Sequence, residues 1–258
     1  MVKSLQAGFG APLGRPLMTE LYNRGVRGVR LDMQDVTDAL TFYVLTQEAL
    51  DAGLRPLLII NALQPAWIPS DVPLDIEFIN EPDLAGWSPA QYATALCFVE
   101  KLLDRQHRLW AGGVSNCSKN RLAWLAEVVR QIPLGIGVSV HRYPKNGARP
   151  LDPQDGFKTR AEEMRAIRSV VGGRPWGCSE FGYHTGLQKT GRWFWTRRWH
   201  WTDNQVAVFA RQEWALWENA GAEFAVWYQV GDGPTDPYCY GIRAYDGTWK
   251  PVSETFQG

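Results

Sequence analysis

The sequence is short of nearly everything that would announce a metal centre, a nucleic-acid binder or a membrane protein. It holds four cysteines in 258 residues, with no pair at metal-ligand spacing. His107, His184 and His200 show no metal spacing either, which argues against a hydrolytic metal site. The formal net charge is zero, so nothing draws the chain to nucleic acid or to an anionic membrane surface. No run of about 18 apolar residues occurs, so no membrane span is expected. The opening MVKSLQAGFG lacks the apolar core of a secretory signal, which leaves a cytosolic protein or one whose export signal is trimmed. Cys97 and Cys178 sit in apolar segments and read as buried thiols. Cys117 and Cys239 fall in loops, and a disulfide between them stays open.

What is present is apolar and aromatic. Hydrophobic residues make up 45% of the chain, enough to bury a large core, and one α/β barrel commonly has this length. Tryptophan occurs 13 times, many of them in expected loops. An exposed indole is costly unless it binds something flat and partly apolar, and the face of a sugar ring fits. Core packing is expected to take about half of them.

Short apolar runs alternate with longer amphipathic ones. LQAGFG, VRGVRL, RPLLIIN, DIEFIN, RLWAGGVS, GIGVSVH, RPWGCSEFG and EFAVWYQV read as strands. Helical patterns cover Val36 to Asp51, Lys119 to Gln131, Thr159 to Val171 and Asp203 to Asn219. Another helix opens with Ser88 as N-cap and Pro89 at its first position, and Thr202 with Gln205 resembles a capping box. The connection from Asn61 to Leu74 carries three prolines and reads as loop with at most a turn of helix. The pattern predicts an α/β fold, a single (β/α)8 barrel spanning residues 1–258 as one catalytic domain. A doubly wound sheet is disfavoured because GFGAPLG lacks the G-x-G-x-x-G spacing and no suitable acidic residue follows it.

In such a barrel, chemistry gathers at the carboxyl ends of the strands. Read in order, those ends are Gly10, Asp32, Asn61, Asn80 with Glu81, Ser115 with Asn116, His141 with Tyr143, Glu180 and Trp227. Glu81 closes the fourth strand and Glu180 the seventh, so two carboxylates are expected to face each other across the barrel mouth. Such a pair is the usual machinery for cleaving a glycosidic bond. One carboxyl must be protonated and the other ionised; burial raises a carboxyl pKa, and a nearby cation such as Arg30 or a donor such as Tyr143 lowers it. Glu77 is expected to point into the barrel and pair with a base such as Arg30. Asp32, Asp232 and Asp236 read as loop-forming.

INEP with Asn80 and Glu81, HRY with His141 and Tyr143, SEFG with Glu180, and VWYQ with Trp227 together resemble the landmarks of clan A glycoside hydrolases. The closing YGIRAYDGTWKPVSETF is similar to that clan's last segment, and families 5 and 39 are the nearest in character. The resemblance implies a retaining enzyme on a (β/α)8 barrel, acting on carbohydrate with no cofactor and no metal. It implies Glu81 as acid/base and Glu180 as nucleophile. Asn80 would bond the sugar 2-hydroxyl, Tyr143 and Arg30 would position and ionise Glu180, and His141 would contact the sugar or the acid/base. Trp227 would be the stacking floor, and the peptide after it would be cis. The short loops after most strands point to an open groove and internal cleavage of a polysaccharide. The competing reading is a catalytically inactive barrel that binds glycan or a protein partner.

One segment stands apart. In KTGRWFWTRRWHW, Trp193, Trp195, Trp199 and Trp201 alternate with Lys189, Arg192, Arg197 and Arg198. Trp199 is the candidate for a substrate wall of indoles and guanidiniums. A hairpin packing its indoles onto the barrel is the other reading.

Overall fold

The computed structural model describes residues 1–7, 14–62, 64–144, 147–190, 197–235 and 238–257, with only the backbone at 188–190 and 197–199. Eight parallel strands close a barrel: β1 (Val2–Gln6), β2 (Gly28–Asp32), β3 (Arg55–Ile60), β4 (Asp75–Phe78), β5 (Arg108–Val114), β6 (Gly137–Arg142), β7 (Trp176–Phe181) and β10 (Phe224–Trp227). Closure comes from β1, which pairs with β10 on one side and β2 on the other. The remaining strands, β8 (Gln188–Thr190) and β9 (Arg197–Trp199), form a separate antiparallel pair after β7.

Six α-helices lie among the described residues: α1 (Gly14–Asn23), α2 (Ala39–Asp51), α3 (Pro89–Leu102), α4 (Lys119–Val129), α5 (Arg160–Val171) and α6 (Asp203–Asn219). Ser88 and Thr202 complete capping boxes with Gln91 and Gln205, as their spacing predicts. The proline-rich link after β3 folds only a 3-10 turn, Pro65–Trp67, and a second 3-10 helix, Pro251–Phe256, follows β10. One expectation needs correction. The first strand begins at Val2 rather than Leu5, and Gly10 lies outside the described residues. Helix α1 was not announced by its apolar pattern, because only Met18 and Leu21 of it are buried and Pro16 sits in its first turn.

The lower barrel is plugged by aromatic rings. Trp110 and Phe224 meet edge to face with centroids 4.9 Å apart, packed with Leu57 and Val226. Gly137 and Gly177 make room for them: a Cβ at either would come within 2.6 Å of the Trp110 or Phe224 ring. Above this apolar layer the interior turns polar, with Gln6, Arg30, Glu77, Ser139 and Ser179 all buried.

No disulfide joins any of the four cysteines, so Cys117 and Cys239 do not pair. Cys117 is buried, with its Sγ 3.1 Å from the His141 carbonyl, whereas Cys97 is only half-buried. No helix is long and apolar enough to cross a membrane among the described residues.

Candidate active site

The floor of the site is a buried ion pair. Arg30 on β2 donates through Nε to Glu77 Oε2 at 2.7 Å and through Nη2 to Glu77 Oε1 at 3.1 Å. Glu77 Oε1 also accepts from the Gly113 amide (2.9 Å), Ser139 Oγ (3.2 Å) and Ser179 Oγ (3.1 Å). Burial pushes the Glu77 carboxyl up, but the charge and hydrogen bond of Arg30, then His141 and the Gly113 amide, outweigh it and hold it below the ordinary carboxylate range. The other end of Arg30 fans out to Gln6 Oε1 (2.8 Å), Asn80 Oδ1 (2.8 Å) and Glu180 Oε1. One guanidinium therefore ties β1, β2, β4 and β7 together.

Breaks in strand regularity aim the working groups. Between β5 and β6 the register slips at Gly112–Gly113, a bulge that glycine favours. A Cβ on Gly113 would lie 2.2 Å from His141 Cδ2, so this glycine creates the berth of the imidazole. A Cβ on Gly112 would lie 1.8 Å from the Ile79 carbonyl oxygen, and β4 ends against that bare backbone. There Ile79 takes φ 61° and Glu81 φ 45°, left-handed conformations that cost non-glycine residues about 1–3 kcal/mol each. Strand β7 carries a second bulge: Val140 pairs with Cys178, but the next pair is His141 with Glu180. The extra residue, Ser179, resets the alternation, so Ser179 and Glu180 both reach the interior while Phe181 turns out to Trp214 and Trp227.

Glu81, His141 and Glu180 thus converge. His141 Nδ1 lies 3.1 Å from Glu81 Oε1 and 3.7 Å from Glu180 Oε2, and a carboxylate oxygen of each glutamate and this nitrogen are all within 4.8 Å of one another. Tyr143 donates its hydroxyl to Glu180 Oε2 at 2.6 Å. Burial alone would raise the Glu180 carboxyl; His141, Arg30 and the Tyr143 hydrogen bond reverse this and keep it below the ordinary carboxylate range. Burial, then the facing Glu180 charge, pushes the Tyr143 phenol well up, so it stays a donor. Three ligand-type atoms this close would suit a metal ion in principle. Arg30 already sets a positive charge on Glu180, however, which makes the group a poor cation site.

The mouth opens into a cleft of about 1130 Å³ lined by Asn80, Glu81, Tyr143, Glu180, Tyr228 and the long segment that follows β10. Its aromatic surface is tyrosine. Tyr143, Tyr228 and Tyr240 stand mutually edge to face, with centroids 5.6–6.0 Å apart, and Tyr238 and Tyr245 extend the wall. Every tryptophan whose side chain is described instead belongs to the core or packs against it. Trp227 is the main correction: it is fully buried, packs on Phe181 and Tyr183, and donates Nε1 to the Tyr240 carbonyl. The reason is parity. Phe224 and Val226 point into the barrel, so Trp227 points out to the helices and Tyr228 returns to the mouth. The cis peptide falls one residue later too, at Tyr228–Gln229 rather than after Trp227.

For the segment after Glu180, the backbone of β8 and β9 forms an antiparallel pair. The side chains of Trp199, Lys189, Arg197 and Arg198, and all of Arg192, Trp193 and Trp195, lie outside the described residues, as does Asp236. Trp201 packs edge to face on Phe209 of α6. Asp232 is engaged by Lys250 at 2.6 Å, and Asp32 Oδ1 accepts from the Gln34 amide, both loop-building roles. Sequence reading passed over Gln6, Ser139, Ser179, Tyr228 and Tyr240. For Tyr228 a signal existed in the alternation from Phe224; for Gly113 it was the Gly-Gly pair within a strand.

A closed α/β barrel with two glutamates at the ends of its fourth and seventh strands is the class this geometry defines. No protein-family model matches the chain, and no curated protein matches it. Solved structures do. Thermotoga maritima Cel5A in complex with mannotriose superposes with TM-score 0.66 at 13% identity, over 99% of this chain and 97% of that one. An active-site mutant of Rhizomucor miehei β-1,3-glucanosyltransferase in complex with laminaritriose gives 0.65 at 14%, over 97% and 96%. A GH5-4 broad-specificity endoglucanase from Clostridium acetobutylicum gives 0.66 at 13%, over 97% and 92%. The fold is therefore the (β/α)8 barrel of these glycoside hydrolase structures, shared along almost the whole chain.

Proposed function

We propose that the chain is a single catalytic domain: a retaining glycoside hydrolase cleaving β-linked oligo- or polysaccharide. The observation that carries this is the closeness of Glu81 and Glu180, with carboxylate oxygens within 4.8 Å. Retaining enzymes hold their two carboxyl groups about 5–5.5 Å apart, and inverting ones about 6.5–9.5 Å, to admit a water between. Glu180, held ionised by Arg30, His141 and Tyr143, attacks the anomeric carbon while Glu81 protonates the departing oxygen. A covalent glycosyl-enzyme forms, and Glu81 then takes a proton from the water that releases the sugar. Asn80 has its Oδ1 on Arg30, so its amide N–H groups are what it offers the sugar 2-hydroxyl. Tyr228 takes the stacking place expected of Trp227. The open cleft supports internal cleavage, and the bound mannotriose and laminaritriose of two structural neighbours support an oligosaccharide substrate.

Hydrolysis of a β-glycoside followed by proton NMR should show the β-anomer of the product first, with the α-anomer appearing only by mutarotation. An α-anomer formed first would mean inversion and remove Glu180 from the nucleophile role. Glu81→Ala separates the acid from other contributions. Its kcat should fall by about 10²–10⁴-fold on substrates with poorly acidic leaving groups and far less on a dinitrophenyl glycoside, which departs without protonation. Azide, which needs no general base, should restore turnover and yield a β-glycosyl azide. Equal damage across all leaving groups with no azide effect would overturn the assignment. No turnover of any glycoside by the parent chain would favour the inactive, glycan-binding barrel.

A further inference from the structure

Strand β6 ends in His141 and Arg142, and Tyr143 follows directly. Alternation sends the first and third inward to the carboxylates and the middle one outward. The outward residue does not reach solvent: the Arg142 side chain is 1% exposed. Its Nε donates to Glu163 Oε1 (3.1 Å) and its Nη1 to Glu213 Oε1 (2.5 Å). Arg160 closes the ring, bonding Glu163 Oε1 (2.5 Å) and Glu213 Oε2 (3.4 Å). Two positive and two negative charges are thus buried together behind the site, and Tyr183 adds its hydroxyl to Glu213 at 2.8 Å. The quartet joins β6 to α5 and α6. Arg142 Nη2 also holds the Asp152 carbonyl (2.6 Å) in the segment between β6 and α5. That segment returns to the site through Gln154, whose amide donates to Glu163 Oε2 (2.9 Å) and whose Nε2 donates to the Tyr143 carbonyl (2.6 Å).

Burying four charges is a poor way to gain stability, since apolar side chains of like volume do as well. What a guanidinium fork supplies is direction. We propose that the Arg142–Glu163–Arg160–Glu213 quartet is a positioning device: it fixes the end of β6 so that His141 stays on Glu81 and Tyr143 stays on Glu180. None of the four is a catalytic residue. The inference rests on the proposed hydrolase reading for its functional meaning, but not for its structural test.

Two variants address it. Glu213→Gln keeps the shape and removes one charge. Gln154→Met leaves all four ions in place and cuts the bridge to Tyr143. The direct readout is the Glu180 carboxyl pKa, followed by carbon-13 NMR and assigned by loss of the signal in Glu180→Gln. Facing Glu180 are Arg30 of β2, Glu77 of β4, Glu81 beyond it, His141 of β6 and Tyr143 just after it; only the last two depend on the quartet. Both favour the ionised carboxylate, so loosening them raises its pKa. A rise of about half a unit or more is expected, with the acid limb of kcat/KM moving to higher pH by the same amount. The kcat should fall on the order of tenfold while KM stays within about twofold. Such shifts in either variant, at a retained fold by circular dichroism, support the device. A lower Tm with the Glu180 pKa and the acid limb unmoved in both reduces the quartet to packing and overturns it. If Glu213→Gln does not fold, Gln154→Met decides. If the parent hydrolyses no glycoside, the hydrolase reading falls, and the NMR titration still decides whether the quartet holds Glu180.

Discussion

Glu180→Gln should lower kcat on an aryl β-glycoside by at least about a thousandfold, since loss of the proposed covalent nucleophile removes the reaction path itself. The amide keeps the shape of the carboxylate but cannot attack the anomeric carbon. Its fold should survive. Arg30 has only donors, so the glutamine oxygen turns towards it and the amide nitrogen faces the Tyr143 hydroxyl, which can accept. Arg30 retains Glu77 as counter-ion. Tm should therefore change little while activity disappears. Glu180→Ala with azide supplies the complement: azide attacks from the vacated side and gives an α-glycosyl azide, opposite to the product expected from Glu81→Ala. Residual activity above about 1% in Glu180→Gln, or a β-azide from Glu180→Ala, would transfer the nucleophile role elsewhere.

Arg30→Met should have the largest effect on stability. It leaves Glu77 fully buried without a cation, a loss of about 3–5 kcal/mol at neutral pH, or roughly 10 °C in Tm for a chain of this size. The pH dependence distinguishes this from lost packing. In the parent, Glu77 and Glu180 both have lowered carboxyl pKa values. Their stabilisation is full above the unfolded value of about 4.3 and is lost as pH falls through the lower folded values. In the variant nothing opposes burial as Arg30 does, and Glu77 titrates above its unfolded value. Its contribution is then full at low pH and lost as pH rises. The deficit against the parent should consequently shrink from pH 7 towards about pH 5. Denaturant titrations at several pH values measure it, and a deficit independent of pH would show that the Arg30–Glu77 charge pair is not its source.

Much of the barrel was legible because its signals are local. Caps at Ser88 and Thr202 and apolar runs ended by polar residues placed most elements, and strand order placed Glu81 opposite Glu180. The pairing of Glu77 with Arg30 was legible from alternation alone. What stayed hidden depends on departures from alternation or on contacts distant in sequence. The bulge at Ser179 leaves no mark in WGCSEF, yet it brings Glu180 inward. Tyr228 was obscured because Trp is the more conspicuous residue, although the inward Phe224 and Val226 favoured Tyr228. The abundance of tryptophan suggested sugar-stacking walls, but the described indoles pack the core and tyrosines line the cleft. Arg142 sits between two site residues, and nothing beside it in the sequence marks it as buried. Its partners Glu163 and Glu213 are 21 and 71 residues away, with no pattern linking them.

The placement of His141 bears on how charge moves during turnover. In the proposed double displacement, Glu180 would begin as an anion and become a neutral ester, while Glu81, as the acid, would give its proton to the leaving oxygen and become an anion. The total is unchanged; one unit of negative charge migrates from one side of the mouth to the other. His141 Nδ1, 3.1 Å from Glu81 and 3.7 Å from Glu180, stands within reach of that charge at both ends of its journey. Arg30 and Glu77 form a neutral couple beneath it that neither gains nor loses a proton. The pocket can thus solvate reactant and intermediate with one fixed set of dipoles, and little reorganisation is needed between the two half-reactions.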